Sequence, residues 1–259
     1  MTEITREEIR LIKQLQKSAK TRKEENSYVV EGLRSVSEIP KEDIRSVYVA
    51  KKMDTEISDK DRTLIPSGYT VVKDSILEEM ADTKNPQGVL AVVSKHRYTA
   101  EDVLKKSEHP LLVLLENLQD PGNLGTILRT AEGAGVNGLL LCGDTVDIYN
   151  PKVVRASMGA IHRVPFLLFE ETKDAISWVK ERGILCYAAH LNGEDFYRED
   201  LTKGICFMIG NEGNGLTDET AKAADRKIKI PMKGQVESLN AAAATTILCY
   251  ETLRQREYK

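Results

Sequence analysis

The sequence predicts an α/β protein, with a C-terminal part built on a parallel sheet and a smaller α/β unit before it. Three observations carry this prediction. From Pro110 onward, short apolar runs alternate with longer stretches of helical periodicity. The runs, such as residues 111–115 and 205–209, are apolar throughout rather than at every second position, as strands covered on both faces are. Before Pro110 the elements are shorter, and a polar stretch over residues 94–109 separates the two parts.

Taken in order, residues 6–20 are expected to be a helix, because Ile9, Ile12, Leu15 and Ala19 recur at three- and four-residue steps. Arg10, Lys13, Lys17 and Lys20 then share a different face. Strands follow at 28–31, 46–50, 70–72 and 89–93, with helices at 32–38 and 75–81. These make an N-terminal unit over residues 1–95. A linker over 96–109 contains one short amphipathic piece, 100–105. In the C-terminal part, 110–259, strands are expected at 111–115, 138–142, 164–168, 184–189, 205–209 and 227–230. Helices are expected at about 122–134, 151–159, 171–182, 216–224 and 238–255.

A hydrophobic share of 41% and a charged share of 30% are globular values and exclude global disorder. No apolar run approaches the roughly 20 residues that cross a bilayer. The first residues are polar and acidic, unlike a secretory signal. Cys142, Cys186, Cys206 and Cys249 lie far apart and mostly in apolar runs, so they are expected to be reduced core residues of a cytoplasmic protein with no metal site. A net charge of −3 excludes a uniformly basic surface. Residues 10–23, however, carry Arg10, Lys13, Lys17, Lys20, Arg22 and Lys23 with no acid, so any nucleic-acid contact is expected to be local.

Three turns carry the chemistry. The first, residues 116–129, ends a buried strand at the carboxyl edge of the sheet, where α/β ligands bind. Asn123 is expected to cap its helix, and Arg129, two turns in on an otherwise small or apolar helix, needs either a carboxylate or an anionic ligand. The second is Gly210-Asn211-Glu212-Gly213-Asn214-Gly215-Leu216, a glycine-rich strand-to-helix turn that leaves backbone N–H groups for a ligand; it is not a Walker A loop. The third runs from Ile230 through Met232, Gly234, Glu237 and Ser238 to Asn240, before a small-residue helix for which Ser238 is the expected cap. Gly133-Ala134-Gly135-Val136-Asn137-Gly138 matches the dinucleotide pattern G-x-G-x-x-G but follows a helix and precedes a strand. It is a structural turn, not a cofactor site.

In this order, Asn123-x-Gly-x-x-x-Arg129, Gly210-Asn-Glu212-Gly-x-Gly-Leu216 and Ile230-Pro-Met-x-Gly-x-Val-Glu-Ser238-Leu-Asn240 resemble the three signature motifs of the SpoU (TrmH) family, within the SPOUT superfamily. These are S-adenosylmethionine-dependent RNA 2′-O-ribose methyltransferases. The resemblance spans about residues 110–257. Tyr28-Val-Val-Glu-Gly-Leu-Arg34 is similar to the start of the L30e-like substrate domain found in many members. The resemblance implies a trefoil α/β knot in the C-terminal domain, a homodimer formed through it, and no metal. It implies S-adenosylmethionine held by Gly210, Asn211, Gly213, Ile230, Met232, Ser238 and Leu239, with Ala189 and Leu191 of a turn at 189–193 nearby. Arg129 would act at the ribose, with Asn123 orienting it or the ribose, Glu212 anchoring Arg129, and Ser238 and Asn240 organising the pocket. A guanidinium is a poor base, so Arg129 either positions the ribose or becomes a transient base beside a phosphate.

The expected RNA contacts are Arg10, Lys13, Lys17, Lys20, Arg22, Lys23 and Arg34. The substrate implied is rRNA, with a guanosine of the 23S species suggested by family frequency. A tRNA methyltransferase, an antibiotic-resistance rRNA methyltransferase and a non-catalytic RNA-binding assembly factor stand as alternatives, with a dinucleotide oxidoreductase outside them. The four histidines form no site.

Overall fold

Thr5 opens the first helix, α1 (Arg6–Lys17), as a capping box: its hydroxyl accepts from the Glu8 N–H at 3.2 Å, and Glu8 Oε2 accepts from the Thr5 N–H at 2.7 Å. The helical stripe buries Ile12 and Leu15. The structure, a computed structural model, describes residues 4–104 and 107–258. Lys105, which ends the amphipathic piece expected at 100–105, lies outside the described residues.

The helix expected to reach residue 20 breaks at Ser18, whose extended backbone and hydroxyl cap a second helix, α2 (Ala19–Glu24). Beyond the break Arg22 turns inward and is 3% exposed. Its Nε donates to Asp147 Oδ2 at 2.7 Å, and one terminal nitrogen donates to the carbonyls of Leu15 and Gln16. Arg22 is therefore not an RNA contact, contrary to the sequence expectation, because the guanidinium is consumed by a buried ion pair. Arg22→Ala takes the donor from Asp147 Oδ2 and from two carbonyls, while Asp147 Oδ1 keeps the Tyr149 N–H, and is expected to lower unfolding free energy by about 3–5 kcal/mol. Lys20→Ala, in an exposed pair with Glu24 at 3.8 Å, is expected to change it by less than about 1 kcal/mol. Equal denaturation midpoints for the two variants would contradict this assignment.

The rest of the first unit follows as β1 (Ser27–Glu31), α3 (Leu33–Ser37), β2 (Ile44–Ala50), α4 (Lys51–Glu56), α5 (Asp59–Arg62), β3 (Thr70–Val72), α6 (Asp74–Met80) and β4 (Val89–Ser94). The strands order as β1-β4-β2-β3, antiparallel at β1–β4 and β2–β4 and parallel at β2–β3. α4 and α5 were not expected, since residues 51–62 are polar almost throughout and no apolar period marks them. α1 and α6 pack together over a core that includes Leu15, Val29, Leu77 and Leu90.

In the second unit, α7 (Ala100–Leu104) precedes β5 (Leu111–Glu116), α8 (Pro121–Gly133) and β6 (Gly138–Cys142). Part of the segment expected to be a linker belongs to this core: Val103 is fully buried, and Tyr98 meets Phe166 edge-on at 5.2 Å between centroids. The G-x-G-x-x-G match does what its context predicts. Ala134 caps α8, Gly135 takes φ +70°, and Gly138 starts β6 against Val103. Next comes α9 (Pro151–Ala156), which packs on β1, and residues Asp147–His162 group with the chain up to Arg97 as one unit. The other unit holds Tyr98–Val146 and the chain from Arg163 onward. There β7 (Phe166–Phe169), α10 (Thr172–Lys180), β8 (Leu185–Asp195), β9 (Ile205–Ile209), α11 (Asp218–Ala223), β10 (Arg226–Lys229) and α12 (Ala241–Glu257) complete the chain. Its six strands are all parallel, in the order β10-β8-β9-β5-β6-β7. α12 packs against α8 and β9. Among the described residues no helix is long and apolar enough to cross a membrane.

Candidate active site

β10, β8, β9 and β5 are consecutive and mutually parallel, so the segments that follow them leave the same edge of the sheet. After β5 the helix cap is Asp120, not Asn123: the Asp120 carboxylate accepts from the Asn123 N–H at 2.7 Å, and Pro121 takes the first helical position. That places Asn123 in the first turn, 8% exposed, with its carboxamide free for tertiary bonding.

After β9 the loop closes on itself. Asn211 and Gly215 form a bridge, each N–H donating to the other's carbonyl at 3.0 and 2.9 Å. A Cβ on Gly210 would collide with the backbone of Gly215 and Leu216, so the loop's own closure requires a glycine here. Asn211 is also spent internally: its Oδ1 accepts from the N–H groups of Gly213 and Asn214, and its Nδ2 donates to the Asn117 carbonyl at 2.9 Å. Gly213, by contrast, has only Asn211 Oδ1 near its Cβ direction, at 3.4 Å.

After β10 the chain runs without regular structure to Asn240, which caps α12 by accepting from the N–H groups of Ala242 and Ala243. Ser238, the expected cap, is exposed and lies too far before the first helical residue to serve.

The three turns meet through one hydrogen-bonded chain. Glu212 Oε1 accepts from Asn123 Nδ2 at 2.9 Å and from the Asp120 N–H at 3.0 Å, while Oε2 accepts from the Gln119 N–H at 3.1 Å. Asn123 Oδ1 in turn accepts from Asn240 Nδ2 at 2.8 Å. Burial pushes the Glu212 carboxyl upward, but these donors outweigh it and hold the group below its ordinary range. Glu212 was expected to anchor Arg129; it anchors Asn123 and the first turn instead. Arg129 stands exposed on α8, about 9 Å along the axis from Asn123. Among the described residues it makes no hydrogen bond or ion pair.

The 189–193 segment is not a turn between elements but lies inside β8. β10 pairs with Ala188 through Lys227 and then with Glu194 through Ile228, so residues 189–193 loop out of that ladder. Gly193 is required there, because a Cβ would meet the backbone of Ile228. Leu191 is 57% exposed, Met232 is 36% exposed, and Ala189, Ile230 and Leu239 are half-buried. Two residues were missed. Asn117, at φ +53°, accepts from the Asp144 N–H, and an Asn just after a strand was the available signal. Glu116, 3% exposed, accepts from the Thr217 N–H and hydroxyl and from the Thr220 hydroxyl; an acid ending an apolar strand marks it. The four cysteines are buried and free, and burial pushes the thiols of Cys142, Cys186 and Cys249 up to about 12, so none offers a thiolate nucleophile.

A parallel α/β unit whose strand-end turns are joined in this way is the architecture of an S-adenosylmethionine-dependent methyltransferase of the SpoU type. Residues 110–250 match the SpoU rRNA Methylase family, and residues 6–91 match the MRM3-like substrate binding domain. The chain belongs to the SpoU rRNA methylase family. It is 33% identical to the 23S rRNA (guanosine-2′-O-)-methyltransferase RlmB of Bordetella pertussis over 83% of this chain and 91% of that one. It is 30% identical to the 23S rRNA (guanosine(2553)-2′-O)-methyltransferase RlmP of Bacillus subtilis over 89% of this chain and 90% of that one. Among solved structures, the SpoU methyltransferase AviRb of Streptomyces viridochromogenes, in complex with AdoMet, superposes with a TM-score of 0.87 at 28% identity, covering 96% of this chain and 98% of that one.

Proposed function

We propose that this protein methylates a ribose 2′-hydroxyl of 23S rRNA, at a guanosine, using S-adenosylmethionine in the cytoplasm. The observation that carries the reading is the Glu212–Asn123–Asn240 chain, which ties three separate turns into one wall at a single sheet edge. The residues present fit the cofactor. Leu191, Met232 and Leu239 offer apolar surface for an adenosine and a methionine side chain, and the loop backbones beside Gly213 and Ile230 offer polar groups. Asn211 and Gly210 act by shaping the loop. S-adenosylmethionine supplies a methyl group already activated by its sulfonium.

What remains for the protein is to align the 2′-oxygen, exclude water and manage one proton. Arg129 is the group proposed to face the ribose. Its guanidinium, unengaged among the described residues, is available to hold the 2′-oxygen or an adjacent phosphate and to offset charge as the hydroxyl proton leaves. Ser238, exposed and two residues before Asn240, is proposed to meet the substrate side. A homodimer through a knotted C-terminal domain would set Arg129 against the partner's cofactor, which agrees with its making no hydrogen bond or ion pair among the described residues. The exposed cations Arg10, Lys17, Lys20, Lys23 and Arg34, with half-buried Lys13, are proposed to contact RNA.

The test is methyl transfer from labelled S-adenosylmethionine to deproteinised 23S rRNA and to tRNA, followed by alkaline hydrolysis. A 2′-O-methyl group blocks cleavage at its own nucleotide, so label is expected in an alkali-resistant dinucleotide led by guanosine, from 23S rRNA alone. Label in tRNA overturns the target, and label in a mononucleotide overturns ribose chemistry. Cofactor binding without transfer points to a non-catalytic RNA-binding factor.

A further inference from the structure

The first unit contains a groove of about 1560 Å³ between α1 and the edge formed by β3, α4 and α6. This exceeds the roughly 300–1,000 Å³ typical of a small-molecule site, and so suits an extended ligand. Six cations line it: Arg6, Arg10, Lys13, Lys17, Lys51 and Lys73. They come from three separate places in the sequence: α1 supplies four, and Lys51 and Lys73 come from further along the chain. Two acids line it as well, and both are engaged: Asp54 with Arg62 and Tyr69, and Glu79 with Lys13 at 3.0 Å. The other five cations have no ion pair among the described residues. The floor is apolar, with Ile9, Val71 and Ile76 only half-buried against the core beneath.

We infer that this groove holds a single-stranded segment of the RNA substrate, with phosphates on the cationic rim and ribose against the aliphatic floor. The inference rests on the RNA-methyltransferase reading and adds to it where the strand lies and which form of RNA is taken. A duplex presents its phosphates on a convex surface and leaves a recessed apolar floor uncovered, whereas a flexible strand enters it. Among the described residues no aromatic ring lines the groove and offers a platform for stacking bases, and the strand is held without regard to its sequence. Lys20, Lys23 and Arg34 do not line the groove.

The test uses the full-length protein and two fluorescent probes, a mixed-sequence single-stranded oligoribonucleotide and a hairpin duplex of equal length, titrated by anisotropy at several salt concentrations. The groove variant is Arg6→Gln/Lys51→Gln/Lys73→Gln, and the control is Lys41→Gln/Lys60→Gln/Lys84→Gln, three cations outside the groove; all six side chains are exposed, so both variants are expected to melt as the wild type does. The groove variant is expected to bind the single strand at least tenfold more weakly, with its log–log salt slope smaller by about 2, since each phosphate contact on a single strand contributes about 0.7. The control should keep affinity and slope nearly unchanged. Equal losses in both variants, an unchanged groove variant, or a wild type that prefers the hairpin overturns the groove. Failure of the underlying reading looks different: the wild type then binds neither probe and transfers no methyl group to 23S rRNA.

Discussion

Arg129→Ala is expected to lower the rate of methyl transfer by a factor of 10² to 10³ or more, the effect of removing one preorganised group that meets developing charge, about 2.7–4 kcal/mol. S-adenosylmethionine affinity should stay within a few-fold, and the melting temperature should not move, because Arg129 is exposed and bonds to nothing among the described residues. Arg129→Lys keeps the charge but loses the planar fork that holds a ribose and a phosphate together, so it is expected to recover little. Turnover near the wild-type rate in the alanine variant would remove Arg129 from the reaction. A lysine variant with restored turnover would show that charge alone suffices. Mixing Arg129→Ala chains with chains crippled at the cofactor loop adds a second readout: if each arginine serves its partner's cofactor, the mixed dimers regain activity.

Gly210→Ala is the second large effect, and it acts through shape. The added methyl points into the backbone of Gly215 and Leu216, where no flexible side chain is available to yield. The mutual hydrogen bonds of Asn211 and Gly215 must then open, and with them the hold of Asn211 on Asn117. A loss of about 1–3 kcal/mol in unfolding free energy is expected, together with at least a tenfold loss of S-adenosylmethionine affinity by calorimetry. Gly213→Ala separates loop closure from ligand approach, since its methyl meets only Asn211 Oδ1 at an ordinary 3.4 Å. A fall in affinity there without a fall in stability would place the cofactor against Gly213. Wild-type stability and affinity in Gly210→Ala would mean the loop does not close in this way.

Local pattern carried most of the fold. Near-continuous apolar runs marked five of the six strands of the parallel sheet, β10 with its Arg-Lys-Ile-Lys being the exception, and the glycine turn after α8 was told from a cofactor site by which element precedes it. What stayed hidden depended on distant partners. Nothing near Arg22 distinguishes it from Lys20 or Lys23; it is buried because Asp147, far along the chain, lies against it. The same holds for Asp147–His162, whose own sequence gives no hint that α9 packs on β1. Caps were misassigned by two or three residues for a related reason. Asp120 and Asn123, or Ser238 and Asn240, are all competent caps, and the choice between them is made by where Glu212 stands. The three turns were therefore legible from motif order, while the hydrogen bonding that joins Asn123, Glu212 and Asn240 was not.

The hydrogen bonds around Glu212 have a direction. A carboxylate only accepts, so Asn123 must turn its amide nitrogen toward it and its oxygen away. That oxygen obliges Asn240 to turn its nitrogen inward, which leaves the Asn240 oxygen aimed at the first N–H groups of α12. A single negative charge on the loop after β9 thus sets the orientation of two side-chain amides in series and, through them, the residue at which the last helix begins. The relay has one polarity, and its three turns cannot be reoriented one at a time.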